Sequence, residues 1–149
     1  MRVFILSFAF VLFTAISVAQ VPEIEDAQKN SSLATIIIYR TPDLYASLRN
    51  GAIFTDGDKA CKLSNKKFMI YQQEPGELEI QAQIGGLQLW PKKMTNIEFP
   101  VEAGNTYYIK SGINASFMQQ RVELTEVTER SAKQDLSNLT LDRCQKKNK

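Results

Sequence analysis

The feature that most constrains the fold is a strict alternation of apolar and polar residues between positions 77 and 84. Its apolar members are Leu78, Ile80, Ala82 and Ile84, and a glutamate or glutamine separates each from the next. Because successive side chains of a β-strand point to opposite faces, the pattern predicts a strand with one buried and one wet face. Such a strand needs partners, so the rest of the sequence has to supply further strands.

Turn signals divide the rest of the sequence into short segments with strand character. Residues 33–40 form a nearly continuous apolar and β-branched run, which predicts a central strand buried on both faces. Asp56-Gly57 predicts a tight hairpin within residues 52–63, because glycine supplies the positive φ that this turn needs. Residues 43–50 are predicted to be a short polar connection. The other strands predicted are residues 67–73, 95–101, 106–110 and 117–127.

About seven or eight short strands at regular spacing predict an all-β, mainly antiparallel fold, in the form of a small β-sandwich. Residues 128–139 favour a short C-terminal helix, in which Ser131 and Gln134 have the spacing of a capping box. The sequence contains no internal repeat that would indicate another architecture.

The first nineteen residues have the layout of a secretory signal peptide. Arg2 precedes an apolar run at residues 3–18, and small residues precede a cleavage site between Ala19 and Gln20. The alternative is an uncleaved anchor, although the run is at the short end of the roughly 17–25 residues that span a bilayer. Cleavage predicts an exported protein, periplasmic or secreted, with no integral membrane segment in its mature chain.

The length of 149 residues leaves room for one ordinary domain after the signal peptide at residues 1–19. Residues 20–32 are polar and lack periodicity, so they are predicted to form a flexible leader. The single β-sandwich domain is predicted at residues 33–140. Residues 141–149 are predicted to form a basic tail.

The mature chain keeps both cysteines of the sequence, Cys61 and Cys144. In an exported protein, two cysteines most simply form one disulfide. The alternative is two unpaired thiols.

The chain contains no histidine, which excludes several kinds of catalytic site. A Ser-His-Asp triad and a Cys-His nucleophile pair cannot form, and zinc sites that contain histidine are excluded as well. Asp56 and Asp58 are a carboxylate pair that a hydrolase could use, but aspartate is favoured in turns for local backbone hydrogen bonding. We therefore expect no enzyme activity, no catalytic residues, no metal site and no cofactor.

A formal net charge of +2 argues against a nucleic-acid-binding protein, which usually has a strongly basic face. Trp90, Lys92 and Lys93 lie in an irregular segment at residues 87–93, which is predicted to be a loop. A tryptophan on a loop with nearby lysines is a candidate contact site for a partner protein or a glycan. The alternative is that Trp90 folds back over one end of the core.

Several segments occur in a characteristic order, namely ATIIIYR, FTDGDKACKL, EPGELEI, VEAGNTYYIK and VELTEV. Their shared features are Tyr39-Arg40, Asp56-Gly57, Pro75-Gly76, Ala103-Gly104 and Tyr107-Tyr108. Over roughly residues 33–134 the chain resembles the bacterial exported family catalogued as domain of unknown function 2846. The resemblance implies a small β-sandwich of the bacterial envelope, often lipid-anchored or secreted, with no assigned activity. The chain departs from many members in having no lipid-attachment cysteine, and the segment at residues 87–93 is not part of the pattern.

We therefore expect a non-catalytic binding or structural module of the bacterial cell envelope. Its partner is expected to be an envelope protein or glycan of unknown identity, bound at an exposed sheet edge or at the Trp90 loop. The alternative is a secreted inhibitor or a small-ligand carrier on the same scaffold.

Overall fold

A computed structural model describes residues 21–44, 46–85, 93–115 and 120–146 of the chain. The three helices are α1 (Pro22–Gln28), α2 (Glu129–Leu136) and α3 (Arg143–Lys146). The strands are β1 (Ala34–Arg40), β2 (Gly51–Thr55), β3 (Asp58–Leu63), β4 (Lys67–Gln73), β5 (Gly76–Ile84), β6 (Thr95–Val101), β7 (Thr106–Ala115), β8 (Gln120–Val127) and β9 (Thr140–Leu141). Ala19 and Gln20 of the predicted cleavage site, together with Trp90 and Lys92, lie outside the described residues.

The strands form two sheets. The first sheet has the order β8-β7-β1-β4-β9, and the second has the order β3-β2-β5-β6. Five of the seven strand pairings are antiparallel, whereas the β1–β7 and β4–β9 pairings are parallel. The predicted all-β and mainly antiparallel fold with a short C-terminal helix is confirmed.

The main core lies between the two sheets. From the first sheet, Ile36 and Ile38 of β1 point into this core. From the second sheet, the apolar side chains of the alternating segment are buried, as predicted: Leu78, Ile80, Ala82 and Ile84. The polar residues between them lie on the outer face of the second sheet, so the alternation in the sequence reports a sheet that is covered on one side only.

A second apolar cluster covers the outer face of the first sheet. Ile37 and Tyr39 of β1 point to this side and pack with Ile24 of α1 and Leu136 of α2. Every residue of β1 is consequently buried, which confirms the prediction of a central strand covered on both faces.

The predicted flexible leader at residues 20–32 is wrong for residues 22–28, which form helix α1. Ile24 is only 8% exposed, and Gln28 Nε2 donates to Thr106 Oγ1 at 3.0 Å. A helix of seven residues with one buried side chain has too few apolar positions to show a helical period. Its contacts with the sheet therefore determine its position.

Two expectations near the C-terminus need correction. The helix at residues 129–136 is capped by Thr128, whose hydroxyl oxygen accepts a hydrogen bond from the Ser131 backbone N–H at 3.4 Å, so Ser131 is not the first residue of a capping box.

The predicted tail at residues 141–149 begins as ordered structure, because β9 and α3 extend to Lys146. The Asp142 backbone N–H donates to the carbonyl oxygen of Phe68 at 2.8 Å, which fastens this segment to β4.

The strand register places the described connections at two ends of the sandwich. We call the end at which β1 finishes the leucine end. Its described connections are residues 41–44, 46–50, 64–66, 85, 93–94 and 137–139, the last of which leads into β9 opposite Lys67. We call the opposite end the acidic end. It contains the turns at residues 56–57, 74–75 and 102–105 and the connection at residues 29–33, which leads into β1.

Candidate functional site

A buried arginine organises the loop between β1 and β2. Arg40 is the last residue of β1 and is 1% exposed. Its Nη2 donates to the carbonyl oxygen of Ala46 at 2.7 Å, and its Nη1 donates to the carbonyl oxygen of Arg49. Burial lowers the pKa of the Arg40 guanidinium, and the nearby carboxylate of Asp43 acts in the opposite direction. The guanidinium thus binds two carbonyl groups of the loop from its buried side.

The same loop is fastened to the neighbouring turn. The Asp43 backbone N–H donates to Asn65 Oδ1 at 3.0 Å, and Asn65 Nδ2 donates to the Asp43 carbonyl oxygen at 3.1 Å. Within the loop, Asp43 Oδ1 accepts from the Ala46 backbone N–H at 3.2 Å. At its far end, the Gly85 backbone N–H donates to the Asn50 carbonyl oxygen at 2.7 Å. The backbone of the loop is therefore held on two sides.

This fastened loop exposes large apolar side chains. Leu44 is 91% exposed and Leu48 is 97% exposed, whereas Ala46 between them is buried. Met94, at the end of the β5–β6 connection, is 50% exposed. Among the described residues, the large hydrophobic side chains that are exposed all lie at the leucine end.

Sequence reasoning missed this loop, since it predicted only a polar connection at residues 43–50. The available signal was the pair Leu44 and Leu48, which are four residues apart in a polar segment. That spacing on its own is typical of a buried helical face. The exposure of the two side chains in the folded protein shows that the leucines point outward.

Charge is distributed unequally between the two ends of the sandwich. The leucine end has three basic residues in its described connections, namely Arg49, Lys66 and Lys93. Its acid, Asp43, accepts a hydrogen bond from the loop backbone. The three turns of the acidic end contain Asp56, Glu74 and Glu102 and no basic residue, and the basic residue of its connection at residues 29–33, Lys29, pairs with Asp26 at 2.6 Å.

The two cysteines form the predicted disulfide, with Cα atoms 5.6 Å apart. Asp142 reinforces it, because Oδ2 accepts from the Ser64 backbone N–H at 2.8 Å and Oδ1 accepts from the Cys144 backbone N–H at 3.1 Å. Cys61, Asp142 and Cys144 are also the group of possible metal ligands found within the described ranges. The two sulfur atoms are bonded to each other and are not thiolates, so the group serves as a clasp between the sheets.

Of the carboxylate pair considered for a hydrolase, Asp56 lies on the predicted hairpin turn and Asp58 is the first residue of β3. Asp56 and Asp58 are both exposed, and Asp56 has a positive φ of 50° beside Gly57. Asp56 Oδ1 accepts from the Glu79 backbone N–H at 3.4 Å, which joins the turn to β5. These contacts agree with the interpretation of Asp56 as a turn residue.

The predicted partner contact is only partly within the described structure. Lys93 is exposed and lies at the leucine end. Trp90 and Lys92 are outside the described residues, so the contact site stays a prediction. The described ends of its connection, Gly85 and Lys93, both belong to the leucine end.

A polar cluster fastens α2 to the first sheet. The Tyr39 hydroxyl and the Lys110 ammonium both donate to Asp135 Oδ2, each at 2.9 Å. Burial raises the pKa of Tyr39, and the hydrogen bond to Asp135 acts in the same direction. One carboxylate oxygen of α2 thus receives two donors from the sheet, which indicates a structural role.

Within the described parts of the chain, no helix has the length and apolar character needed to cross a membrane. A family model described as "Protein of unknown function (DUF2846)" matches residues 30–123. The matched region includes the loop of Leu44 and Leu48 and ends before Cys144. Neither the comparison with curated proteins nor the comparison with solved structures finds a significant match.

Proposed function

The chain belongs to the DUF2846 family of proteins of unknown function, and from this premise we propose that it is an exported, non-catalytic binding module of the bacterial cell envelope. It binds its partner through the leucine end. The observation that carries this proposal is the near-complete exposure of Leu44 and Leu48 on a loop that buried Arg40 holds in place.

Exposed leucines on a fastened loop favour a binding role. Moving large apolar side chains out of water is favourable. A loop that keeps Leu44 and Leu48 outside the core therefore lacks this stabilisation in the free protein. The hydrogen bonds from Arg40 and Asn65 fix the loop before any partner arrives. A preformed loop loses little conformational entropy on binding, which increases its affinity.

Export is supported by the layout of residues 1–19 and by the disulfide. Disulfides persist in oxidising compartments such as the periplasm and the extracellular space. The non-catalytic part of the proposal is supported by the absence of histidine from the sequence and by the turn contacts of Asp56. The predicted contact residues Trp90, Lys92 and Lys93 belong to the connection that leaves and re-enters the sandwich at the leucine end.

Site-specific photo-crosslinking tests this proposal. A photo-reactive residue is placed at position 48 and, as a matched control, at position 74, which is exposed on a turn at the acidic end. Crosslinking is performed in the producing cells, and the adducts are identified by mass spectrometry. We expect a reproducible envelope component, whether protein, glycan or lipid, from position 48 and not from position 74.

Two outcomes would contradict the proposal. Adducts that form equally at positions 48 and 74 would show that the leucine end has no special role. Retention of residues 1–19 together with a cytoplasmic location in fractionated cells would overturn the export.

A further inference from the structure

We infer that the leucine end binds an anionic lipid bilayer, with Leu44 and Leu48 inserted between the lipid headgroups. This inference rests on the proposed function and specifies the partner of the same site. It is carried by three properties of the described residues, which are protruding apolar side chains, basic residues around them, and a loop in which the backbone groups of Asp43, Ala46 and Arg49 are hydrogen-bonded.

The apolar side chains have the exposure that insertion requires. Leu44 and Leu48 are more than nine-tenths exposed, and Met94 at the same end is half exposed. Leucines that protrude from a membrane-facing surface partition into the boundary between headgroups and acyl chains.

The charges at this end complement an anionic surface. Arg49, Lys66 and Lys93 lie in the connections of the leucine end, and basic residues near a membrane surface are attracted by negatively charged lipids. Long basic side chains can also lay their apolar stems along the interface while the charged groups reach the phosphates. The three acids of the turns lie at the opposite end, so the same charge distribution would orient the sandwich with the leucines towards the lipid.

The loop backbone suits a medium with little water. In that medium an unpaired N–H or C=O group is costly, because no water replaces its hydrogen bond. The carbonyl oxygens of Ala46 and Arg49 are bound by Arg40, and the Asp43 N–H and C=O groups are bound by Asn65. The loop can therefore approach the bilayer with these groups already satisfied. This property favours a lipid partner over a protein partner, whose surface could supply hydrogen bonds of its own.

Vesicle flotation tests the inference with the mature, disulfide-bonded chain. The probes are vesicles of phosphatidylcholine mixed with phosphatidylglycerol, and vesicles of phosphatidylcholine alone. We expect the protein to float with the mixed vesicles and much less with the neutral ones. Raising the salt to about 1 M, at which charges are screened beyond about 3 Å, should weaken the binding.

Variants assign the binding to named side chains. Leu44→Ser with Leu48→Ser should weaken flotation on the order of tenfold for each leucine. Lys62→Gln with Lys66→Gln should weaken it by about fivefold each and only on the anionic vesicles. Both lysines are exposed, and the side chain of Lys62, near the end of β3, lies beside Gly85 of the leucine end. The matched control, Glu74→Gln with Glu77→Gln, changes two exposed residues at the acidic end and should not weaken it.

Absence of wild-type flotation would overturn the lipid inference, and so would equal flotation of the double-serine variant. If photo-crosslinking at position 48 then captured an envelope protein, the proposed function would stand and the partner would be that protein. If position 48 captured nothing and the vesicles did not bind, both proposals would be wrong. Circular dichroism of each variant checks that the fold is unchanged, as expected for substitutions at exposed positions.

Discussion

Cys61 and Cys144 are 83 residues apart in the sequence, yet their disulfide joins the edges of the two sheets. Cys61 lies in β3, the edge strand of the second sheet, and Cys144 lies in α3, directly after β9 at the edge of the first sheet. Asp142 adds two hydrogen bonds to this junction. The disulfide and the hydrogen bonds of Asp142 therefore hold the two sheets together on one side of the sandwich, where the short strand β9 pairs with β4 over few residues.

The double variant Cys61→Ala with Cys144→Ala should lower the free energy of unfolding by about 4 kcal/mol, because the bond closes a long loop in the unfolded chain. Urea unfolding of the variant measures this loss, and the wild type in reducing buffer should lose a similar amount. An unchanged unfolding midpoint in both samples would show that the disulfide contributes nothing to the free energy of unfolding.

The features that the sequence predicted correctly are those that local physics determines. The hairpin at Asp56-Gly57 depends on a positive φ at adjacent residues. The alternation at residues 77–84 depends on a sheet with one covered face. Both signals lie within ten residues of sequence, so no knowledge of distant partners is needed to recognise them.

The features that the sequence did not reveal depend on distant contacts. The parallel pairing of β1 with β7 joins segments about seventy residues apart, such as Ile37 and Tyr108. Helix α1 is positioned by side chains of the first sheet, and neither its length nor its composition predicts this. At the candidate site, Arg40 ends an apolar run, and nothing local shows that its guanidinium turns under the next loop to bind two carbonyls.

Arg40→Met tests whether the buried guanidinium holds the loop of Leu44 and Leu48. It removes two charge-assisted hydrogen bonds to backbone carbonyls and should cost about 2–4 kcal/mol in the free energy of unfolding. The loosened loop should also be cut faster by trypsin after Arg49, as followed by mass spectrometry.

Arg121→Met is the matched control for Arg40→Met. Arg121 is exposed and pairs with Glu123 at 3.1 Å, so its loss should cost less than about 1 kcal/mol and leave cleavage after Arg49 unchanged. Equal cleavage rates in the wild type and in Arg40→Met would show that other contacts, such as the pair of Asp43 and Asn65, are sufficient to hold the loop.

Helix α1 should contribute measurably to stability, although its sequence resembles a leader. Ile24 packs against the outer cluster of the first sheet, and Ile24→Ala should lower the free energy of unfolding by about 2 kcal/mol. Glu23→Ala changes the preceding, exposed residue and should have little effect. If the two variants unfold at the same denaturant concentration, α1 does not stabilise the sheet.

The stability of the protein should fall in alkaline solution because two buried tyrosines resist ionisation. Burial is the main cause that raises the pKa of Tyr39 and of Tyr108, with Asp135 and Glu129 respectively acting in the same direction. In the unfolded chain each phenol has its ordinary pKa near 10.0. The contribution of these tyrosines to the free energy of unfolding is therefore fully present below about pH 10. It is lost as the pH rises towards their pKa values in the folded state, by at most about 1.4 kcal/mol per pH unit for each tyrosine.

Tyr108→Phe isolates one of these groups at small structural cost, because the hydrogen bond that the Tyr108 hydroxyl accepts from Gln28 is long, at 3.5 Å. At pH 8 the variant should unfold at nearly the wild-type urea concentration. Between pH 10 and about pH 11.5 its stability should decline less steeply, since one fewer phenol ionises on unfolding. Parallel declines in the two proteins would show that Tyr108 ionises equally readily when folded, and that its burial beneath the helices does not oppose the tyrosinate charge.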